Sequence, residues 1–302
     1  MKTPFVFLLT MLFVAAGAQN QPVFRNWYSV QGIYNPAMVG SYGLRDITLI
    51  SRKQWTGTDT GPVAAGFYFQ HAGRHRLSYG VSATMNEAVR LRNTDTRFIV
   101  AYHIPLTKHM NLRFGLSAGL ATRKLNLRDD DFSNDPAVLR AADGIFGAAG
   151  SFGLAVEGER LQLGVSLPAV LPQENYSPAQ LAAIGNSQLL SQWYSIRYRF
   201  RSASGKFEAD PWVVYRVLRD LRRNAEAGIY FSYDDLVSLG IGYNQSLGPS
   251  LTTGFRLTEG VRIGWTWEPG MGKDNTFGAT HELLISVKLG PMQSGIKTAS
   301  YQ

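Results

Sequence analysis

Between Leu44 and Leu289 large apolar residues recur at every second position, in one run after another. In Val261-Arg262-Ile263-Gly264-Trp265-Thr266-Trp267-Glu268 every odd position is large and apolar, and every even one is polar or glycine. Leu112, Phe114, Leu116, Ala118 and Leu120 alternate in the same way with Asn111, Arg113, Gly115, Ser117 and Gly119. Near the end, Leu283, Ile285, Val287 and Leu289 alternate with Glu282, Ser286 and Lys288, and Leu284 alone breaks the rule. Period two places apolar side chains on one face of a strand and polar ones on the other. The pattern predicts fourteen strands, near 44–54, 63–71, 76–87, 94–104, 110–121, 145–157, 160–167, 189–200, 207–217, 222–233, 236–245, 249–257, 260–268 and 279–289.

Most of these segments have 9 to 13 residues, against about 5–6 for strands of soluble proteins. A tilted strand needs about 9–11 residues to cross a bilayer. Length and even count both predict an all-β fold, a transmembrane antiparallel β-barrel of about 14 strands. The connections agree. With both barrel ends in the periplasm, odd-numbered connections face outward, and the longest (122–144, 168–188, 269–278 and 55–62) are the fifth, seventh, thirteenth and first. Even connections such as Gly158-Glu159, Asp234-Asp235 and Thr258-Glu259 are tight. A soluble sandwich or lipocalin-like barrel would turn its apolar face inward, but the polar face here is rich in Gly, Ser and Arg, as suits a hydrated lumen.

The ends of the chain complete the division. Lys2, the apolar stretch Phe5–Ala16 and the small-residue site Ala16-Gly17-Ala18 predict a signal peptide over 1–18. Residues 19–43 follow as a non-strand segment at the periplasmic side or inside the barrel, 44–289 form the barrel, and 290–302 a periplasmic tail. The tail opens on Gly290-Pro291, with no aromatic residue closing the last strand. The 302 residues include no Cys, which removes disulfides, thiol catalysis and thiolate metal sites together. Charged residues make up only 17% and the net charge is +8. That basicity is better explained by lumen arginines than by nucleic-acid binding.

If the apolar parity faces lipid, the lumen receives Arg52, Arg76, Arg97, Arg113, Arg160, Arg197, Arg199, Arg216, Arg222, Arg256, Arg262 and Lys288. It also receives Asp46, Asp95, Glu157, Glu208, Asp210, Glu226, Glu268 and Glu282, so cations exceed acids by four. Such a field suits a pore for anions or acidic peptides. The simpler reading is a set of Arg–carboxylate pairs bracing a blocked barrel. Trp193 and Trp212 have lumen parity, which implies a plug or a register slip, whereas Trp55, Trp265 and Trp267 suit interfacial belts.

Catalytic and ligand signals are weak. Gly115-Leu116-Ser117-Ala118-Gly119 matches a nucleophile elbow but lies within an alternating strand, with no helix after it. Gly240-Ile241-Gly242 also lies inside a strand, so it is no dinucleotide loop. The acid run Asp129–Asp135 offers oxygen atoms for calcium without EF-hand spacing. His71, His75, His103, His109 and His281 show no zinc spacing. We expect no enzyme activity, no cofactor and no metal.

Three blocks carry a further signal: Tyr34-Asn35-Pro36-Ala37-Met38-Val39-Gly40 before the first strand, Ser51-Arg52-Lys53-Gln54-Trp55-Thr56-Gly57 at its end, and Thr280-His281-Glu282 at the opening of the last strand. Taken in this order, they make the chain resemble the PorP/SprF family of Bacteroidetes outer-membrane proteins over nearly all its length. The resemblance implies a non-catalytic outer-membrane component of type IX secretion and gliding motility. Its expected surroundings are outer-membrane lipid and periplasmic or surface proteins of that apparatus. Physically, Asn35-Pro36 favours a turn and Gly40 can adopt a backbone angle that other residues resist. The block therefore either folds the segment against or into the barrel base or simply turns the chain into strand one. Arg52, Gln54 and Glu282 share lumen parity on the first and last strands, which are neighbours once the barrel closes. An Arg52–Glu282 contact across that seam is expected, with a double charge reversal as its test.

Overall fold

A computed structural model describes residues 24–73, 75–125, 144–170, 191–217, 223–270 and 277–290. The proposed signal peptide, the Asp129–Asp135 run, Arg222 and the tail from 291 lie outside the described residues.

The fold is a closed antiparallel barrel. Its strands are β1 (Arg45–Lys53), β2 (Val63–Ala72), β3 (Leu77–Ala88), β4 (Leu91–Thr107), β5 (Met110–Leu125), β6 (Ile145–Gly158), β7 (Leu161–Leu167) and β8 (Gln192–Tyr198). They continue with β9 (Phe200–Arg201), β10 (Phe207–Val217), β11 (Arg223–Tyr233), β12 (Val237–Asn244), β13 (Gly248–Arg256), β14 (Val261–Glu268) and β15 (Thr280–Lys288). Each pairs with its neighbours in sequence, and β1 pairs with β15 to close the ring. The short β9 continues β8 in the same register against β10 (Trp212↔Arg197, Ala209↔Phe200). Fourteen staves therefore form the wall. The break falls at Arg199, whose N–H donates to the carbonyl of Arg160 at 2.7 Å.

The fourteen segments expected from the alternation all match staves, with one systematic difference. β4 and β5 run on to 17 and 16 residues, past the point where their apolar alternation stops. Pairs such as Arg92↔Lys124 and Asn93↔Arg123 extend the ladder there. Alternation marks the part of a strand that meets lipid, whereas backbone hydrogen bonds continue for as long as two chains stay adjacent.

Arg45 opens β1 and Lys288 closes β15 at the same end of the barrel. This is the end without long connections, which we call the turn end; the opposite end also carries two short ones, 89–90 and 245–247. The long connections emerge at the opposite, loop end. The faces are inside out relative to a soluble protein. Leu49, Leu116, Ile241 and Leu283 lie exposed on the outside, while Thr48, Arg97, Arg113 and Glu282 are buried inside.

Two expected lumen residues are not there. Arg76 and Arg160 are exposed in the turns before β3 and β7. Strand parity fails one residue beyond a ladder, because the turn rotates the chain (Arg76 has φ 67).

Inside the barrel lies the segment that precedes β1. Its regular elements are a 3-10 turn Trp27–Val30, one α-turn α1 (Gln31–Tyr34) and 3-10 turns Pro36–Met38 and Ser41–Gly43. The main apolar cluster is where this segment meets the wall: Phe24, Trp27, Val30, Ile33, Tyr34 and Val39 pack against Ile50, Tyr68, Ile99, Trp193, Trp212, Val214 and Leu284. The barrel's core is its plug.

Candidate functional site: the plugged lumen

Toward the loop end, Arg25 inserts into a group of carboxylates. Its Nη1 lies 2.8 Å from Glu226, its Nε donates to Glu268, and its main-chain N–H donates to Glu282 at 2.9 Å. The next residue, Asn26, gives its own N–H to Glu282 at 2.8 Å and its side-chain amide to Thr266 at 2.8 Å. Two wall cations complete the group. Arg52 forks onto Glu268 at 3.0 and 2.7 Å and approaches Glu282 at 3.5 Å, while Arg216 reaches Glu226 at 2.7 Å. Three arginines thus face three glutamates, with every side chain at most 6% exposed. Burial disfavours the charge on Arg25, but Glu226 and Glu268 outweigh it and hold its pKa above the usual value. Such a set stays buried only because each charge has partners.

Below it the plug is aromatic. Trp27 meets Trp193 and Trp212 edge-on, at centroid distances of 6.0 and 5.7 Å. Tyr34 stacks on Trp193 at 4.4 Å, and Tyr28 packs on Tyr230 at 4.4 Å. The lumen parity of Trp193 and Trp212 was therefore correct, and the plug is what they touch. Burial pushes the Tyr34 hydroxyl well above its ordinary pKa, so it stays neutral and accepts the N–H of Phe24 at 2.9 Å.

The Asn35–Gly40 block lies against β4–β7. Asn35 accepts the N–H of Ala37 at 3.0 Å and donates to the carbonyls of Leu154 and Val165 at 3.1 and 3.4 Å. Arg113 donates to the carbonyls of Ala37 and Val39 at 2.8 and 2.6 Å. Gly40 has φ 66, and its N–H donates to Gln70 at 3.0 Å. The wall is flattened to admit this backbone. A Cβ on Gly115 would lie 2.1 Å from the nitrogen of Ala37, one on Gly153 2.0 Å from Asn35 Oδ1, and one on Gly164 2.7 Å from Met38. Of the two roles left open for the block, folding into the barrel is the one the structure has.

The other expected residues divide between two places. Arg52 and Glu282 meet across the β1–β15 seam, as register partners. Gln54 instead closes the first connection on itself, while Trp55 and Gly57 tie that connection to the thirteenth at the loop end. Gln54 donates its N–H to Pro62 at 2.8 Å, Trp55 packs on Phe277 at 5.5 Å, and Gly57 donates to Phe277 at 3.1 Å. His281 points outward and stacks on Trp265.

Among the lumen arginines, Arg97 pairs with Asp95, Arg113 approaches Glu157 at 3.6 Å, and Arg197 and Arg199 share Asp210. Arg256 and Arg262 gather at the turn-end rim on Asp235. Sequence reasoning missed Phe24, Arg25, Asn26 and Trp27. A signal existed: Ile50, Tyr68, Ile99, Val214 and Leu284 are apolar at lumen parity, and all belong to the buried cluster that the plug forms with the wall.

A closed fourteen-stave barrel with outward apolar side chains and a packed internal plug defines an outer-membrane β-barrel of the obstructed kind. The chain belongs to the PorP/SprF family: the family model described as "Type IX secretion system membrane protein PorP/SprF" matches residues 16–287. The protein is thus a type IX secretion component of the outer membrane. No curated protein matches the chain. Among solved structures, the TodX deltaS2S3 mutant monoaromatic hydrocarbon channel is similar at 9% identity and TM-score 0.50, over 85% of this chain and 93% of that one. A Pseudomonas aeruginosa FadL homologue gives 9% and 0.49, covering 85% and 92%. Omp33 of Acinetobacter baumannii gives 8% and 0.47, covering 82% and 98%. These likenesses are of fold alone.

Proposed function

We propose that the barrel works without catalysis, as a scaffold that anchors periplasmic partners or a secreted surface protein of the type IX secretion and gliding apparatus. The observation that carries this reading is the plug. A pore has to keep a hydrated path, whereas Phe24–Ser41 lies across the lumen with side chains that are mostly buried and matched in charge. A hydrolase reading gains no support at Ser117, whose hydroxyl bonds to Ser151 at 2.5 Å and to no imidazole. With the through-path obstructed, the surfaces left for function are the loops at one end and, at the other, the turns, the tail and the part of the lumen that opens beside them.

Purified barrel in planar bilayers is expected to be electrically silent, and mild cross-linking in intact cells should recover secretion-apparatus subunits or one large surface protein with it. Steady conductance that changes when Arg197 or Arg199 is neutralised would replace this reading with a pore.

A further inference from the structure

The plug covers only part of the lumen near the turn end. Against β2–β7 the inward residues Gln70, Ser78, Arg113, Glu157 and Gln162 are all buried. On β11–β15 the inward residues at the same end (Ser232, Ser238, Gly254, Gly264, Ser286) are small and partly exposed. A Cβ on Gly264 would meet nothing nearer than 3.6 Å, so glycine there leaves room and is not forced by a neighbour.

Three cations enter this space. Arg256 and Arg262 are direct cross-strand partners on the same face, an arrangement that costs stability through like-charge repulsion. Lys288 joins them from β15. All three converge on one atom, Asp235 Oδ2: Arg256 at 3.4 Å, Lys288 at 3.9 Å, and Arg262 in close contact. Asp235 sits on the turn before β12 with its side chain 47% exposed. Arg262 Nε is buried and has no hydrogen-bond partner among the described residues. Asp46, the register partner of Lys288, is the second carboxylate beside this group, and Arg256 also donates to the carbonyl of Asp234 at 3.1 Å. Three cations still exceed two carboxylates, and the excess faces an open recess. These side chains point into the lumen and away from the bilayer, so lipid headgroups do not reach them.

We propose that this recess is a docking site for an acidic, extended segment of a periplasmic protein, whose carboxylates join or replace Asp235 on Arg256, Arg262 and Lys288. The proposal rests on the scaffold reading above and gives its periplasmic partner a chemistry. Short turns of outer-membrane barrels face the periplasm, which puts the recess on that side.

The test uses the full-length barrel in detergent micelles and a fluorescein-labelled peptide of alternating Glu and Gly, followed by fluorescence anisotropy. We expect saturable binding that weakens with added salt and is absent for a Gln/Gly peptide. Arg256→Gln combined with Arg262→Gln should weaken binding by about tenfold or more, as for paired charges at an interface. Asp235→Asn should tighten it severalfold. Asn tolerates the left-handed backbone of Asp235 (φ 56), and a gain in affinity does not arise from misfolding. Unchanged or weaker binding in Asp235→Asn overturns the proposal. Displacement by millimolar inorganic phosphate as readily as by the unlabelled peptide also overturns it, in favour of a free-anion site. Bilayer silence together with either negative result leaves the scaffold reading standing without this site.

Discussion

A Cβ on Gly115 would fall 2.1 Å from the nitrogen of Ala37, whereas one on Gly264 would find 3.6 Å of clearance. The two substitutions to alanine therefore separate a packed site from an open one. Gly115→Ala should lower the thermal midpoint of the purified barrel, by an amount corresponding to about 1–3 kcal/mol of overpacking. Gly264→Ala should leave it nearly unchanged. At Arg25 the effect is electrostatic. Arg25→Ala leaves Glu226, Glu268 and Glu282 facing only Arg52 and Arg216, and removing one partner from a buried ionic set costs about 3–5 kcal/mol. The denaturant midpoint in detergent should fall accordingly, and Arg25→Lys should recover part of the loss. Glu282 also changes the test for its contact with Arg52. Because Glu282 accepts the main-chain N–H groups of Arg25 and Asn26, an arginine in its place loses both bonds. The double reversal Arg52→Glu with Glu282→Arg should therefore fail to restore heat resistance, although the contact is real.

At the scale of elements, Trp27 is the wedge that keeps the plug against β8 and β10. Trp27→Ala should cost about 3–5 kcal/mol of plug docking. Limited proteolysis is then expected to cut within residues 24–43 while the barrel still migrates as a folded band on unheated gels. A segment protected as well as in the wild type would show that Trp27 is dispensable. The staves were legible in the sequence because lipid on one side and polar lumen on the other enforce strict alternation, as in Val261–Glu268. The plug was not, because its short turns have no period, and its contacts join residues such as Arg25 and Glu226 that sequence spacing does not relate. The break at Arg199 had no signal in the alternation. Even so, Leu284 and Val214 break the pattern, and both belong to the buried cluster shared by plug and wall. Gly115 carries a second trace. The sequence shows it in an alternating strand and in a hydrolase-like string, whereas its place is set by the backbone of Ala37.

For the whole molecule, removing residues 24–43 and keeping those before them should turn a silent barrel into a conducting one. Arg52, Arg97, Arg113 and Arg216 would be uncovered together with their partners Glu268, Asp95, Glu157 and Glu226, so the opened lumen should select only weakly between anions and cations. Reversal-potential measurements in a salt gradient check this, and strong selectivity of either sign would contradict the charge assignment. The bond from the Arg25 N–H to Glu282 spans 257 residues, more than the whole run of strands from Arg45 to Lys288. Loop-closure entropy makes a contact of that separation late to form. The plug precedes every strand in the chain, yet its partners on β1, β11, β14 and β15 are complete only when the last strand arrives. A chain cut short before Glu282 would hold a buried guanidinium beside an incomplete set of acids, with two N–H groups unanswered. The full set of plug bonds therefore exists only in a barrel whose last strand is in place.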